Sequence, residues 1–139
     1  MRIEKAYRGW GAELTGEISL VEAGMDRFFN LKKENNFFGA KALQEKIQSG
    51  VDIKIVYLEV DVEDADARGN EPVYHNNKIV GVVTSGGYGF RTKKSLAFAY
   101  VKSDLVNGVN LEIEIQGKRR QTKILDKAVY DPDNQKLKA

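Results

Sequence analysis

The chain has 139 residues and balances 22 Lys and Arg against 20 Asp and Glu, a net charge of +2 at pH 7, too slight to imply a nucleic-acid partner. Its zero cysteines exclude disulfides, a cysteine nucleophile and thiolate metal sites, and its one histidine excludes a histidine-cluster metal site. No run of about 18 apolar residues offers a membrane span. The polar opening Met1-Arg2-Ile3-Glu4-Lys5 carries no secretion signal, so the expected location is cytoplasmic, or the mitochondrial matrix in a eukaryote.

Residues 1–50 are expected to form a mixed leader. It is rich in Gly, Glu and aromatics, with Tyr7, Trp10, Phe28 and Phe29 among them. Thr15-Gly16-Glu17 punctuates a loop, and Leu20 to Met25 suits a short helical turn. Asn35 and Asn36 offer an N-cap. From Gly39 to Gln48 the apolar positions Ala42, Leu43 and Ile47 have helical spacing, and Gly50 is placed to stop that helix.

After Gly50 the period becomes two. Val56, Leu58, Val60 and Val62 alternate with Tyr57, Glu59 and Asp61, as in a half-buried strand. Asp64 to Glu71 is a polar loop. Pro72 to Tyr74 and Lys78 to Thr84 flank Asn76-Asn77, a hairpin turn in which Asn tolerates left-handed backbone. Leu96 to Val101 is a further strand, and Leu111, Ile113 and Ile115 alternate through another. Gly117-Lys118 turns the chain into Arg120 to Leu125. Residues 131–134, beginning Asp131-Pro132, turn into a basic tail. About six short strands predict a mainly β chain with some α: a small antiparallel, Greek-key-like barrel over 51–139, preceded by a short segment with one helix.

The densest local signal is Thr84-Ser85-Gly86-Gly87-Tyr88-Gly89-Phe90, backed by Ser95-Leu96-Ala97-Phe98-Ala99-Tyr100-Val101. Three glycines in four positions demand backbone that side chains would obstruct, and predict a bulged barrel corner. Tyr88, Arg91, Lys93 and Lys94 lie beside it and could present a face to a flat anionic ligand. Trp10 could stack on a flat ring, or serve as a core or interface aromatic. His75 reads as an exposed turn residue, so no Ser/His/Asp set can be built on it. Glu59, Glu112 and Glu114 read as a solvated sheet face, and Lys118-Arg119-Arg120 as a hairpin with exposed cations. There is no G-x-G-x-x-G dinucleotide fingerprint.

Four stretches, in order, resemble one family. Arg2-Ile3-Glu4 with Trp10-Gly11-Ala12-Glu13-Leu14 is similar to its R-hydrophobic-E…Y/W-G-x-E-L segment. Val21-Glu22-Ala23-Gly24-Met25 resembles its P-x-E-A-G-L turn, and Asn36-Phe37-Phe38-Gly39-Ala40-Lys41-Ala42-Leu43 its D-F-I-G-x-x-A-L helix start. Gly81 to Tyr100 resembles its T-S-G-G-Y-G…K-S-L-A barrel segment. This is the folate-dependent aminomethyltransferase (glycine cleavage T-protein) family. The Arg8-Gly9-Trp10-Gly11 and Gly86-Gly87-Tyr88-Gly89 forms look most like the C-terminal region of sarcosine and dimethylglycine dehydrogenases.

The resemblance implies that residues 1–50 are the truncated end of a folate-binding domain and residues 51–139 the C-terminal barrel. The chain would close a tetrahydrofolate pocket and would not be active alone, with FAD needed only in upstream domains absent here. In the family, the segment holding Arg2 and Tyr7 borders the folate pocket. An arginine fork suits a folate carboxylate, although Arg2 could equally pair with a local acid such as Glu4. Trp10 would stack on the pterin or benzoyl ring, and Tyr88 with Arg91 would lid the pocket from the barrel side. Lys136 falls where the family's C-terminus returns to the folate mouth. The implied partners are upstream domains of the same polypeptide and folate, without nucleic acid or membrane, and with self-association possible through an exposed leader. The competing expectation is a free-standing β-barrel binding or interaction module. A nucleic-acid-binding barrel using Tyr88, Arg91, Lys93 and Arg119 ranks third.

Overall fold

The computed structural model describes residues 2–31, 37–136 and 138. The leader contributes two 3-10 turns, Ile3–Lys5 and Asp26–Phe28, and then helix α1, Ala40–Ser49. Gly39 caps the helix start at φ 88° in left-handed backbone and Gly50 ends it at φ 80°, both positive-φ positions that glycine enters without a Cβ penalty. The N-cap expected at Asn35 and Asn36 falls outside the described residues. The segment Leu20 to Met25 is a turn, closed by the Met25 amide bonding to the Leu20 carbonyl at 2.9 Å.

Among the described residues six strands follow: β1 Ile53–Val60, β2 Pro72–His75, β3 Lys78–Gly89, β4 Lys94–Lys102, β5 Glu112–Ile115 and β6 Lys118–Ile124. They close into an antiparallel barrel in the order β1-β4-β3-β2-β5-β6, so every strand has a paired neighbour on each side. Asn76 and Asn77 both take positive φ between β2 and β3, as the hairpin reading required. No described helix is long and apolar enough to cross a membrane.

Val56, Leu58 and Val60 of β1 point inward with Val73, Val83, Ala97, Ala99, Val101, Ile113 and Ile115. Alternation fails where the leader lies. Tyr57, expected on the solvent face, is buried with Ile3, Leu96 and Phe98. Its ring packs on Phe98 at 5.0 Å and its hydroxyl donates to the Ile3 carbonyl at 2.8 Å. β4 is therefore buried on both faces, and its continuous apolar run Leu96–Val101 is the sequence counterpart. The Ile55 amide donates to the Glu22 carbonyl and the Tyr130 amide to the Glu4 carbonyl, pinning the leader and the tail to the barrel.

The glycine run is not a corner. Gly86, Gly87 and Gly89 continue β3, paired with Ala97, Leu96 and Lys94. The chain reverses later, at residues 90–93, where the Lys93 amide bonds to the Gly89 carbonyl at 2.7 Å. The register shift lies between Val83 and Ser85. The glycines answer a different need, close approach. A Cβ on Gly86 would strike the Ala67 carbonyl oxygen, and one on Gly89 would come within 2.9 Å of a Glu4 carboxylate oxygen.

Candidate functional site

Ala6, at φ 53°, ends the first 3-10 turn in left-handed backbone and folds residues 7–9 back toward Arg2. Arg2 Nη1 then donates to the Tyr7 carbonyl at 2.7 Å and to Glu13 Oε2 at 3.2 Å, and Nη2 donates to Ser85 Oγ at 2.9 Å. The Glu13 carboxylate is fully buried. Its Oε2 also accepts the Gly9 amide at 2.6 Å, while its Oε1 accepts the hydroxyls of Thr84 at 2.7 Å and Ser85 at 2.5 Å. Neighbours on a regular strand point to opposite faces. The bulge between Val83 and Ser85 breaks that rule and lets adjacent Thr84 and Ser85 both reach Glu13. Tyr100 ties the same loop down from β4, its hydroxyl donating to the Glu13 carbonyl at 2.8 Å. Burial raises the Tyr100 hydroxyl to about 12, and the neighbouring Glu13 charge adds to the effect.

Glu4 organises a second cluster. Its buried carboxylate accepts the amides of Arg91 at 3.0 Å and Thr92 at 2.9 Å and the Thr92 hydroxyl at 3.1 Å. Burial opposes its charge, but the amide and hydroxyl of Thr92 outweigh that and hold the carboxyl below its ordinary value. The 90–93 turn is thereby fixed, and Arg91 is free to lay its guanidinium over the Tyr130 ring at 5.8 Å. Lys136 approaches the same ring at 5.4 Å.

Arg2 and Tyr7 are thus brought together, but through the Tyr7 backbone, and the charge partner of Arg2 is Glu13 rather than Glu4. Arg91 and Lys136 meet at Tyr130, on the Glu4 side. Tyr88 packs edge-on to Phe90 at 5.1 Å and remains exposed. Trp10 is 84% exposed on the loop closed by the Gly11 amide and the Leu14 carbonyl, so it is not a core residue. Phe28, at 60%, is also exposed. Glu13, Thr84, Ser85 and Tyr130 are site residues that no sequence motif marks as such. Glu13 is the acid of the W-G-x-E-L stretch, but nothing local marks it as buried.

The remaining charged motifs are structural. Arg119 pairs with Glu114 at 3.1 Å and Glu112 at 3.6 Å and stacks 3.1 Å from the Tyr74 ring centroid. Arg120 pairs with Asp64 at 2.6 Å, and Glu59 with Lys94 at 2.6 Å. His75 ends β2, half-buried, with Nδ1 2.9 Å from the Asn110 carbonyl oxygen. No group of three or more metal-ligating side chains occurs among the described residues.

A folate carboxylate tests the Arg2 site directly. Guanidinium has five N–H donors. Among the described residues three are used, two of Nη1 on Tyr7 and Glu13 and one of Nη2 on Ser85, so Nε–H and one Nη2 hydrogen remain, with the Arg2 side chain 41% exposed. They are donors of the kind a carboxylate accepts.

Comparison with known proteins agrees with this architecture. Residues 54–131, more than half of the chain, match the family described as "Glycine cleavage T-protein C-terminal barrel domain". Dimethylglycine dehydrogenase of Rattus norvegicus is 39% identical over 126 residues, covering 90% of this chain and 15% of that protein. An aminomethyltransferase of Synechocystis is 32% identical over 131 residues, covering 94% of this chain and 35% of the relative. The crystal structure of aminomethyltransferase T from Bartonella henselae superimposes with a TM-score of 0.81 at 24% identity, covering 94% of this chain and 37% of that one. The chain therefore spans only a small part of these relatives, and it belongs to the glycine cleavage T-protein C-terminal barrel domain family.

Proposed function

We propose that the chain is the C-terminal portion of a folate-dependent one-carbon transfer enzyme, of the sarcosine or dimethylglycine dehydrogenase kind, and that it closes the tetrahydrofolate pocket. Residues 1–50 would complete the folate-binding domain and residues 51–139 would brace it. The observation that carries this reading is the orientation of Arg2. A buried carboxylate and two oxygen acceptors fix its guanidinium and leave two donors for a ligand carboxylate. When bound, tetrahydrofolate supplies the acceptor for the one-carbon unit. The residues of this chain bind and orient, since Glu13 and Glu4 already accept several hydrogen bonds each and are not poised for proton transfer.

The test is hydrogen exchange on the complete polypeptide with and without tetrahydrofolate. Protection is expected over residues 2–14 and 84–91, and Arg2→Gln should abolish it. Folate binding to the complete protein with no protection of these segments would overturn the proposal. The competing reading, a free-standing binding barrel, draws on the closed barrel having its own core. An immunoblot of the source cells separates the two, because a native band near 15.6 kDa supports the free-standing module and a much larger one supports the enzyme tail.

A further inference from the structure

Between the leader and the mouth of the barrel lies a cavity of about 480 Å³. Its walls carry five cations, Lys5, Arg8, Arg27, Lys54 and Lys127, against two acids, Asp126 and Asp133. Lys5 is already neutralised: Nζ lies 3.2 Å from the Asp131 carboxylate and donates to Asn134 Oδ1 at 2.7 Å. That leaves four cations facing two carboxylates, an excess of two positive charges. None of Arg8, Arg27, Lys54 and Lys127 has a carboxylate within salt-bridge distance among the described residues.

Arg8 is the most constrained of the four. Nε donates to the Ala23 carbonyl at 3.3 Å and Nη1 to the Ala6 carbonyl at 2.8 Å, with the guanidinium 5.3 Å from the Phe98 ring centroid. Nη2 makes no hydrogen bond among the described residues, and it lies so near Gly24 that a Cβ there would sit 3.3 Å from it. Burial and then the Arg27 charge both act against the protonated form of Arg8, and lower its pKa. Like charges gathered in a half-enclosed space cost stability unless a counter-charge enters.

We propose that this cavity is a binding site for a small organic dianion, a dicarboxylate or a phosphate ester, held by Arg8, Arg27, Lys54 and Lys127. The volume suits a small ligand. The planar arginine forks match the geometry of carboxylate and phosphate oxygens, and the excess of two charges matches a dianion. The site is distinct from the outward donors of Arg2, and the proposal stands whether or not the folate reading does.

The experiment is an amide NMR titration of the whole 139-residue chain with phenyl phosphate, a phosphate monoester that is a dianion at neutral pH, and, separately, with succinate, using acetate at equal ionic strength as the control. Saturable one-to-one shifts are expected at Arg8, Gly24, Arg27, Lys54 and Lys127 with at least one of the two dianions and not with acetate. The pair of probes separates a phosphate from a carboxylate ligand. Arg27→Gln and Lys127→Gln should each weaken binding roughly tenfold, the loss of one charge-assisted hydrogen bond. Both side chains are exposed and make no hydrogen bond within the described chain, so folding is not at stake. Arg119→Gln, on the far hairpin, should leave binding unchanged. Absence of saturation with both dianions, equal binding by Arg27→Gln, or an equal loss with Arg119→Gln would overturn the proposal.

Discussion

Arg2 and Glu13 form an ion pair at 3.2 Å in which only one member meets solvent, the arginine being 41% exposed and the carboxylate 0%. The buried partner holds the exposed one in place. A fully buried carboxylate is stable only when its charge and its lone pairs are satisfied. Glu13 meets that condition with one cation, one amide and two hydroxyls.

Glu13→Ala would strand the Gly9 amide and remove the charge partner of Arg2. We expect a loss of about 3 kcal/mol in urea unfolding. Glu13→Gln should cost less, because the Thr84 hydroxyl can turn to the Phe98 carbonyl, 3.2 Å away, when an amide NH2 replaces Oε1. A Glu13→Ala variant within about 0.5 kcal/mol of wild type would show that the cluster does not bind the leader to the barrel.

The glycine run makes a second, local claim. Gly86→Ala would push a methyl group into the Ala67 carbonyl oxygen, which is backbone and has little room to retreat. It should destabilise the chain by about 2 kcal/mol. Gly16→Ala, where a Cβ meets nothing within 4 Å, should stay within about 0.5 kcal/mol. Thermal unfolding of the two variants in parallel checks this, and equal effects would refute the close-approach account.

The acid limb of stability should be steep. Burial raises the carboxyls of Glu4 and Glu22, but Thr92 for the first, and Ser19 with Lys46 for the second, pull both below the ordinary 4.5. A folded-state value below the unfolded one gives stability that is present above 4.5 and is lost as pH falls through the folded values. Urea midpoints should therefore drop as the pH falls below about 4.5. Glu4→Gln and Glu22→Gln should each flatten that drop. Unchanged slopes in both variants would assign acid sensitivity to other groups.

Much of the barrel was readable from local pattern. Period-two alternation marked β1 and β5, Asn76-Asn77 marked a hairpin, and Gly50 marked the end of α1, because each is set by residues a few positions apart. The family motifs also pointed to the C-terminal barrel domain family that residues 54–131 match. Tyr57 could not be assigned a face from its neighbours, since its burial depends on Ile3, 54 positions away.

Sequence alone was enough for the six strands and the single α-helix seen among the described residues, since these follow from propensity, periodicity and turn chemistry within short windows. Tertiary structure alone decided which acid Arg2 meets, that Gly86 and Gly89 serve close approach rather than a corner, and that Arg8, Arg27, Lys54 and Lys127 share one cavity. Those outcomes depend on contacts between segments up to 119 positions apart, brought together by barrel closure and by the leader folding across β1 and β4, which no local window of sequence encodes.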